Sequence, residues 1–144
     1  MQFSTGALFA LAASVASADV VFHVSDFNAA CIPHSSQCSI SFGVIRTGTG
    51  ETTPVQCSAM LTSNGSIPEV TEGTCENSSR TWTFTKFSTN HASGFELAVS
   101  QQMTPSSSVT GRYDLFDGSF EYQQTGASSQ QAYVGDETEF DLVH

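Results

Sequence analysis

The chain has 144 residues, a length that suits one compact domain. Only 12% of the residues are charged, and 14 acidic against 4 basic side chains give a formal net charge of −10. This charge argues against nucleic acid and against an anionic membrane surface as partners, because both require clustered lysine and arginine. A hydrophobic content of 39% with eleven phenylalanines is too high for a disordered chain and predicts a packed core.

Residues 1–18 have the pattern of a secretory signal peptide. An apolar run at residues 6–13 is followed by Ala16, Ser17 and Ala18, the small residues typical of a cleavage site. The run is shorter than the roughly 20 apolar residues that a membrane-spanning helix needs. We therefore expect a secreted, extracellular protein whose mature domain covers residues 19–144.

Apolar and polar residues alternate with a period of two through the mature domain, and no stretch has a helical period. Such alternation indicates strands with one buried and one solvated face. Turn-forming residues, mainly Gly, Asn, Ser and Thr, separate the alternating segments. The pattern predicts an all-β fold, a single antiparallel β-barrel or sandwich-like barrel. The predicted strands are clearest at 20–25, 39–44, 81–85, 95–100 and 139–143, and weaker at 55–61, 109–116, 118–122 and 130–134.

Four cysteines, Cys31, Cys38, Cys57 and Cys75, lie in the mature domain. An even number in an exported chain predicts two disulfides. Three pairings are possible, and we expect the local one, Cys31–Cys38 with Cys57–Cys75. The alternative is a zinc site formed by Cys31, His34 and Cys38, which an oxidising environment disfavours because zinc binds thiolates.

Two N-glycosylation sequons begin at Asn64 and Asn77, so we expect both side chains on the surface if they are modified. Half of the acidic residues lie after residue 113, and no basic residue follows Arg112. This acidic segment is interpreted as a solvated face that maintains solubility. The alternative is a docking surface that attracts a basic partner.

The sequence contains no recognisable catalytic motif, and we expect no enzymatic activity, no cofactor and no metal. His23, His34, His91 and His144 are isolated from any motif such as His-Glu-x-x-His. The enzymatic alternative is a small secreted hydrolase, such as a ribonuclease, that would use Glu96, His91 and Arg112 together on a sheet. The net charge of −10 would repel an RNA substrate.

The stretch from Val24 to Cys38, with its run Cys-Ile-Pro-His-Ser-x-x-Cys, resembles the Alternaria major-allergen-like family of secreted fungal proteins. This family includes the elicitors that induce a hypersensitive response in plants. The similarity continues through five short segments: Ile40-Ser41-Phe42 and residues 55–59, 73–75, 133–135 and 140–142.

The resemblance implies a compact, disulfide-braced β-barrel in which Cys57–Cys75 matches a bridge of the family. It also implies secretion from a fungus and recognition by, or action on, plant defence, with no established catalytic activity. The partner would be a plant extracellular or cell-surface protein, for example a thaumatin-like pathogenesis-related protein. The chain lacks the unpaired cysteine that joins two subunits of the allergen, and it lacks the allergen's C-terminal disulfide, so we expect a monomer or a non-covalent dimer.

The segment between Cys31 and Cys38 is the best candidate for partner binding. A loop that is tethered at its ends and stiffened by proline presents its side chains at a low cost in conformational entropy. The candidate residues are Ile32, Pro33, His34, Ser35, Ser36 and Gln37. We therefore expect a secreted fungal effector or elicitor, with a cell-wall protein or a carrier of a small apolar ligand inside the barrel as the alternative.

Overall fold

The computed structural model describes residues 19–144, and the expected signal peptide at residues 1–18 lies outside the described residues. Strands make up 65% of this range, and one short 3-10 turn at Asp117–Ser119 is its only helical element. The ten strands are β1 Val20–Cys31, β2 Gln37–Arg46, β3 Val55–Thr62, β4 Val70–Cys75, β5 Thr81–Ser88, β6 Ser93–Thr104, β7 Ser107–Phe116, β8 Phe120–Thr125, β9 Ser128–Tyr133 and β10 Phe140–Val143.

Eight of these strands close into an antiparallel β-barrel, which confirms the predicted fold class. Strands β1 to β7 follow one another around the barrel, and β10 closes it by pairing with both β7 and β1. The remaining two strands, β8 and β9, form a hairpin that joins β1 beside β10. One strand can serve both partners because β1 has 12 residues: its first half pairs with β10, whereas Ala30 near its end pairs with Ala132 of β9.

The barrel interior is filled by aromatic side chains. The ring of Phe27 lies 5.0 Å from that of Tyr133 and 5.6 Å from that of Phe140, measured between centroids. Phe84 stacks on Phe95 with 4.4 Å between ring centroids. Aromatic rings at these separations are in contact, so side chains occupy the space that the strands enclose.

Both predicted disulfides are present, Cys31–Cys38 between β1 and β2 and Cys57–Cys75 between β3 and β4. Each bond joins residues that face each other across a pair of neighbouring strands. The zinc alternative at Cys31, His34 and Cys38 is wrong, because both sulfurs are used in the disulfide. Two disulfides are consistent with an extracellular protein.

Strands β1 and β6 are longer than the predicted segments 20–25 and 95–100, and the strand predictions fail at two further places. Strand β4 was not predicted, because Glu72 is exposed and the buried position beside it is a glycine, Gly73, so the usual apolar alternation is missing. The strand expected at residues 118–122 begins only at Phe120, because Asp117–Ser119 forms the 3-10 turn.

Seven of the nine connections between strands lie at two opposite ends of the barrel. We call one the terminal end because it carries Asp19 and His144, joined by a hydrogen bond from the His144 amide to the Asp19 carbonyl at 2.9 Å. We call the other the distal end. The terminal end carries the connections at residues 47–54, 76–80 and 105–106, and the distal end those at 32–36, 63–69, 89–92 and 126–127. No helix within residues 19–144 is long and apolar enough to cross a membrane.

Candidate functional site

The candidate binding loop at residues 32–36 connects β1 to β2 at the distal end. The disulfide between Cys31 and Cys38 ties the two strands together next to it. Inside the loop, the Ile32 amide donates to the Gln37 carbonyl at 2.9 Å, and the Ser35 amide donates to the Ile32 carbonyl at 3.2 Å. These contacts constrain the shape of the loop.

The side chains of this loop are available for contact. Ile32, Pro33, His34, Ser35 and Ser36 are all exposed, and His34 lies in the left-handed backbone region with φ of 58°. The sixth candidate, Gln37, differs because it is the first residue of β2 and is half-buried. Its side-chain amide donates to the Thr62 hydroxyl at 3.3 Å and so helps to hold β3 in place.

A second connection at the distal end, residues 63–69 between β3 and β4, packs beside the candidate loop. The Ser63 amide donates to the Ser36 carbonyl at 2.7 Å. Further along, the Gln131 amide donates to the Gly65 carbonyl at 2.7 Å, and the Ile67 amide donates to the Gln131 side chain at 2.9 Å. The connection therefore bridges the β1–β2 loop to strand β9.

The turn between β8 and β9 completes the site. It extends past the end of the barrel to His34, so that a β-carbon added to Gly126 would lie 3.8 Å from the His34 imidazole. Between the three segments lies a groove of about 710 Å³, whose walls come from residue 32 and from residues 34–36, 62–65 and 128–130. We call it the distal groove.

The chemistry of the distal groove is neutral. Its lining consists of hydroxyl, amide and backbone groups together with Ile32, and His34 is its one ionisable side chain. Hydroxyl and amide groups both donate and accept hydrogen bonds. This lining is suited to recognising an uncharged polar surface or a peptide backbone.

The two sequons lie at opposite ends of the molecule. Asn64 is exposed and lines the distal groove. Asn77 is exposed at the terminal end, in the left-handed region with φ of 51°. A glycan on Asn64 would stand beside the candidate loop, whereas a glycan on Asn77 would leave it free.

The three residues of the hydrolase alternative are only partly brought together. Arg112 on β7 contacts Glu96 on β6, with 3.4 Å between Nε and Oε1. His91 lies in the β5–β6 connection, where its backbone amide donates to the Thr89 hydroxyl at 3.3 Å. The pair on the barrel wall is therefore a surface ion pair, a type of contact that contributes about 0–1 kcal/mol.

Two tyrosines near the last strand have raised pKa values. A hydrogen bond to the Glu137 carboxylate, with burial and the negative charge adding to it, raises the pKa of Tyr113 to about 12. Burial, together with the charges of Glu137 and Asp136, raises the pKa of Tyr133. Tyr133 donates to the Glu137 carbonyl at 2.6 Å, so these contacts fix the connection between β9 and β10.

An exposed aromatic residue beside the distal groove was missed by the sequence analysis. Tyr122 on β8 has 60% of its surface exposed, and its hydroxyl lies 2.8 Å from that of Ser66 on the β3–β4 connection. The alternating pattern around residues 118–122 indicated a strand but not which face of it would be covered. Exposed tyrosines are common at the energetic centres of protein interfaces.

Within residues 19–144, no three His, Cys, Asp or Glu side chains are grouped so that they could hold a metal ion. Comparisons with protein-family models, with curated proteins and with solved structures find no match to this chain.

Proposed function

We propose that this chain is a secreted fungal effector or elicitor whose distal end binds a plant extracellular or cell-surface protein. The signal-peptide pattern at residues 1–18 and the resemblance around Cys31 and Cys38 to the Alternaria major-allergen-like family support this function. The two disulfides support an extracellular location.

One observation carries the proposal: three segments that are distant in sequence meet around the distal groove. The β1–β2 loop is held by a disulfide, the β3–β4 connection by hydrogen bonds to it and to β9, and the β8–β9 turn by its hairpin. A preformed surface loses little conformational entropy on binding. Such a surface suits recognition of another protein without any chemical step.

The charge of the chain indicates the kind of partner. A protein of net charge −10 associates faster with a basic or neutral partner than with an acidic one. The neutral lining of the groove would then provide the short-range contacts, and the charges elsewhere would steer the approach. A thaumatin-like pathogenesis-related protein of basic or neutral charge fits this description.

The interior packing favours surface binding over carriage of a small apolar ligand. A carrier needs an empty space of a few hundred cubic ångströms inside the barrel. The enclosed region around Phe27 and Phe84 is instead filled by aromatic rings in contact.

Infiltration of purified protein into leaves tests the proposal. The test variant is Pro33→Ala with His34→Ala, which removes two exposed side chains of the loop. The matched control is Pro105→Ala with Ser106→Ala, which changes another exposed, proline-containing turn at the terminal end. Far-UV circular dichroism should show the same β-sheet spectrum for all three proteins.

Wild-type protein and control should cause necrosis or induce defence genes at micromolar dose, and the loop variant should do so much less. Inert wild-type protein across several host plants would contradict elicitation. A loop variant as active as the wild type would contradict the role of the distal groove.

A further inference from the structure

Two of the four basic residues of the chain lie side by side at the terminal end, on the opposite side of the barrel from the distal groove. The guanidinium carbons of Arg46 and Arg80 are each 5.6 Å from the centroid of the Phe22 ring. Phe22 is fully buried in the core. Two positive charges on one ring are unexpected in a chain with so few of them.

Arg80 is buried and well bonded. Only 6% of its surface is exposed, and its Nη2 lies 2.8 Å from the Glu51 carboxylate. Its Nε donates to the Gln101 side chain and its Nη1 to the Val44 carbonyl, both at 3.3 Å. Glu51 is correspondingly held ionised: burial alone would raise its pKa, but the hydrogen bonds from Arg80 and the Arg46 amide and the charge of Arg80 outweigh burial and lower it.

Arg46 has no such partner. Its Nε is buried without a hydrogen bond, and its Nη1 contacts the Met103 sulfur at 3.3 Å, a weak acceptor. Among residues 19–144 no carboxylate lies within ion-pair distance of its guanidinium. A buried donor without an acceptor is rare in folded proteins and calls for an explanation, of which a nearby water or ion is one.

Arg46 and Arg80 both line one pocket at this end of the barrel. Its volume is about 390 Å³, and its lining includes Arg46, Arg80, Glu51 and Gln101 together with the turn at residues 49–50. One carboxylate opposes two guanidinium groups here, so the pocket has an excess of one positive charge. We call it the arginine pocket.

We propose that the arginine pocket binds one carboxylate group of a small ligand. A carboxylate carries the single negative charge that the pocket lacks, and its two oxygens match the donor fork of a guanidinium. A polyanion would be opposed by Glu51 inside the pocket and by the net charge of −10 outside it. The carboxylate could belong to an acidic sugar or to a free peptide C-terminus, and the pocket lies apart from the distal groove.

Nuclear magnetic resonance titration of the folded wild-type protein tests this assignment. Galacturonate represents the acidic sugar, N-acetylglycine represents the peptide terminus, and the methyl ester of each is its uncharged control. At least one of the two acids should shift the Nε–H resonance of Arg46 in a saturable way, and the esters should not. The acid that binds more tightly identifies the source of the carboxylate.

Two variants give the residue-level test. Arg46→Gln should weaken binding of the acid at least about tenfold, because it removes a charged hydrogen-bond donor. Lys86→Gln also removes one positive charge, but on β5 and outside the pocket. It should leave the dissociation constant within about twofold of the wild-type value, since exposed distant charges are screened. Absence of a saturable shift with both acids, equal shifts with the esters, or equal weakening by both variants would overturn the proposal.

Discussion

Trp82 lies flat against the backbone of Gly73 on the neighbouring strand. The two residues face each other in the β4–β5 ladder, and a β-carbon added to Gly73 would come 2.4 Å from the indole ring. The indole N–H donates to the Thr74 carbonyl at 2.9 Å, which fixes the ring in this position. The glycine is therefore part of the core, because the largest buried side chain of the barrel occupies the space beside it.

The first prediction concerns this contact. Gly73→Ala should lower the free energy of unfolding by about 1–3 kcal/mol or more, because overpacking forces the ring or the strand to move. Gly118→Ala is the matched control, since a β-carbon there meets nothing within 4 Å. Urea denaturation followed by tryptophan fluorescence measures both, and equal stability of the two variants would show that the ring does not need the glycine.

The second prediction concerns the disulfides. In the loop-entropy description, closing the loops at Cys31–Cys38 and Cys57–Cys75 contributes about 2.5 and about 3 kcal/mol. With both bonds reduced and some strain relieved, the stability loss should be about 3–5 kcal/mol. A denaturation midpoint that does not move with reductant would contradict this.

The loop-entropy description also ranks the two disulfides by their contribution to stability, with Cys57–Cys75 contributing at least as much as Cys31–Cys38. The Cys57–Cys75 bond lies where β3 and β4 share only the pairs Cys57 with Cys75 and Ser58 with Thr74. Replacing both of these cysteines by alanine should therefore cost at least as much stability as replacing Cys31 and Cys38. The reverse order in denaturant titrations would show that the β3–β4 junction is held by other contacts.

The third prediction concerns alkaline pH. Tyr113 ionises near 10 in an unfolded chain and at about 12 in the folded protein, where it donates to Glu137. Its contribution to stability should be intact below pH 10 and should be lost between pH 10 and 12, because the unfolded state releases the proton first.

The control for this prediction is Tyr113→Phe, which removes the hydroxyl and leaves the ring that stacks on Phe140. The variant should be less stable than the wild type at pH 8, and the difference should shrink between pH 10 and 12. Stability curves that stay parallel over this range would contradict the role of the Tyr113 hydroxyl.

The fold class and the disulfide pairing could be predicted from sequence because both depend on local signals. Alternation with a period of two reports the buried face of each strand, and the short spacings of Cys31–Cys38 and Cys57–Cys75 favour local bonds. Strand β4 escaped because Gly73 contributes no side chain to the alternation, although the Trp82 ring covers it. Without β4 in the predicted strand order, the connections that follow it in the chain could not be assigned to the terminal end or the distal end of the barrel.

The distal groove and the arginine pocket could not be predicted for the same physical reason. Each is made by segments far apart in the chain, such as Ser36 beside Ser63, or Arg46 and Arg80 beside Glu51. Their proximity depends on the pairing of strands around the whole barrel. The sequence shows where the loops and the arginines are, but it contains no signal that places the loops beside one another or the arginines beside Glu51.

Comparative capture from plant apoplastic fluid tests the central claim, that the distal groove recognises a host protein, most directly. Immobilised wild-type protein, the Pro33→Ala/His34→Ala variant and the Pro105→Ala/Ser106→Ala control are incubated with the same fluid, and the retained proteins are quantified by mass spectrometry. We predict that at least one host protein is retained by the wild type and the control but lost with the loop variant. The same retained proteins in the same amounts for all three would contradict the claim.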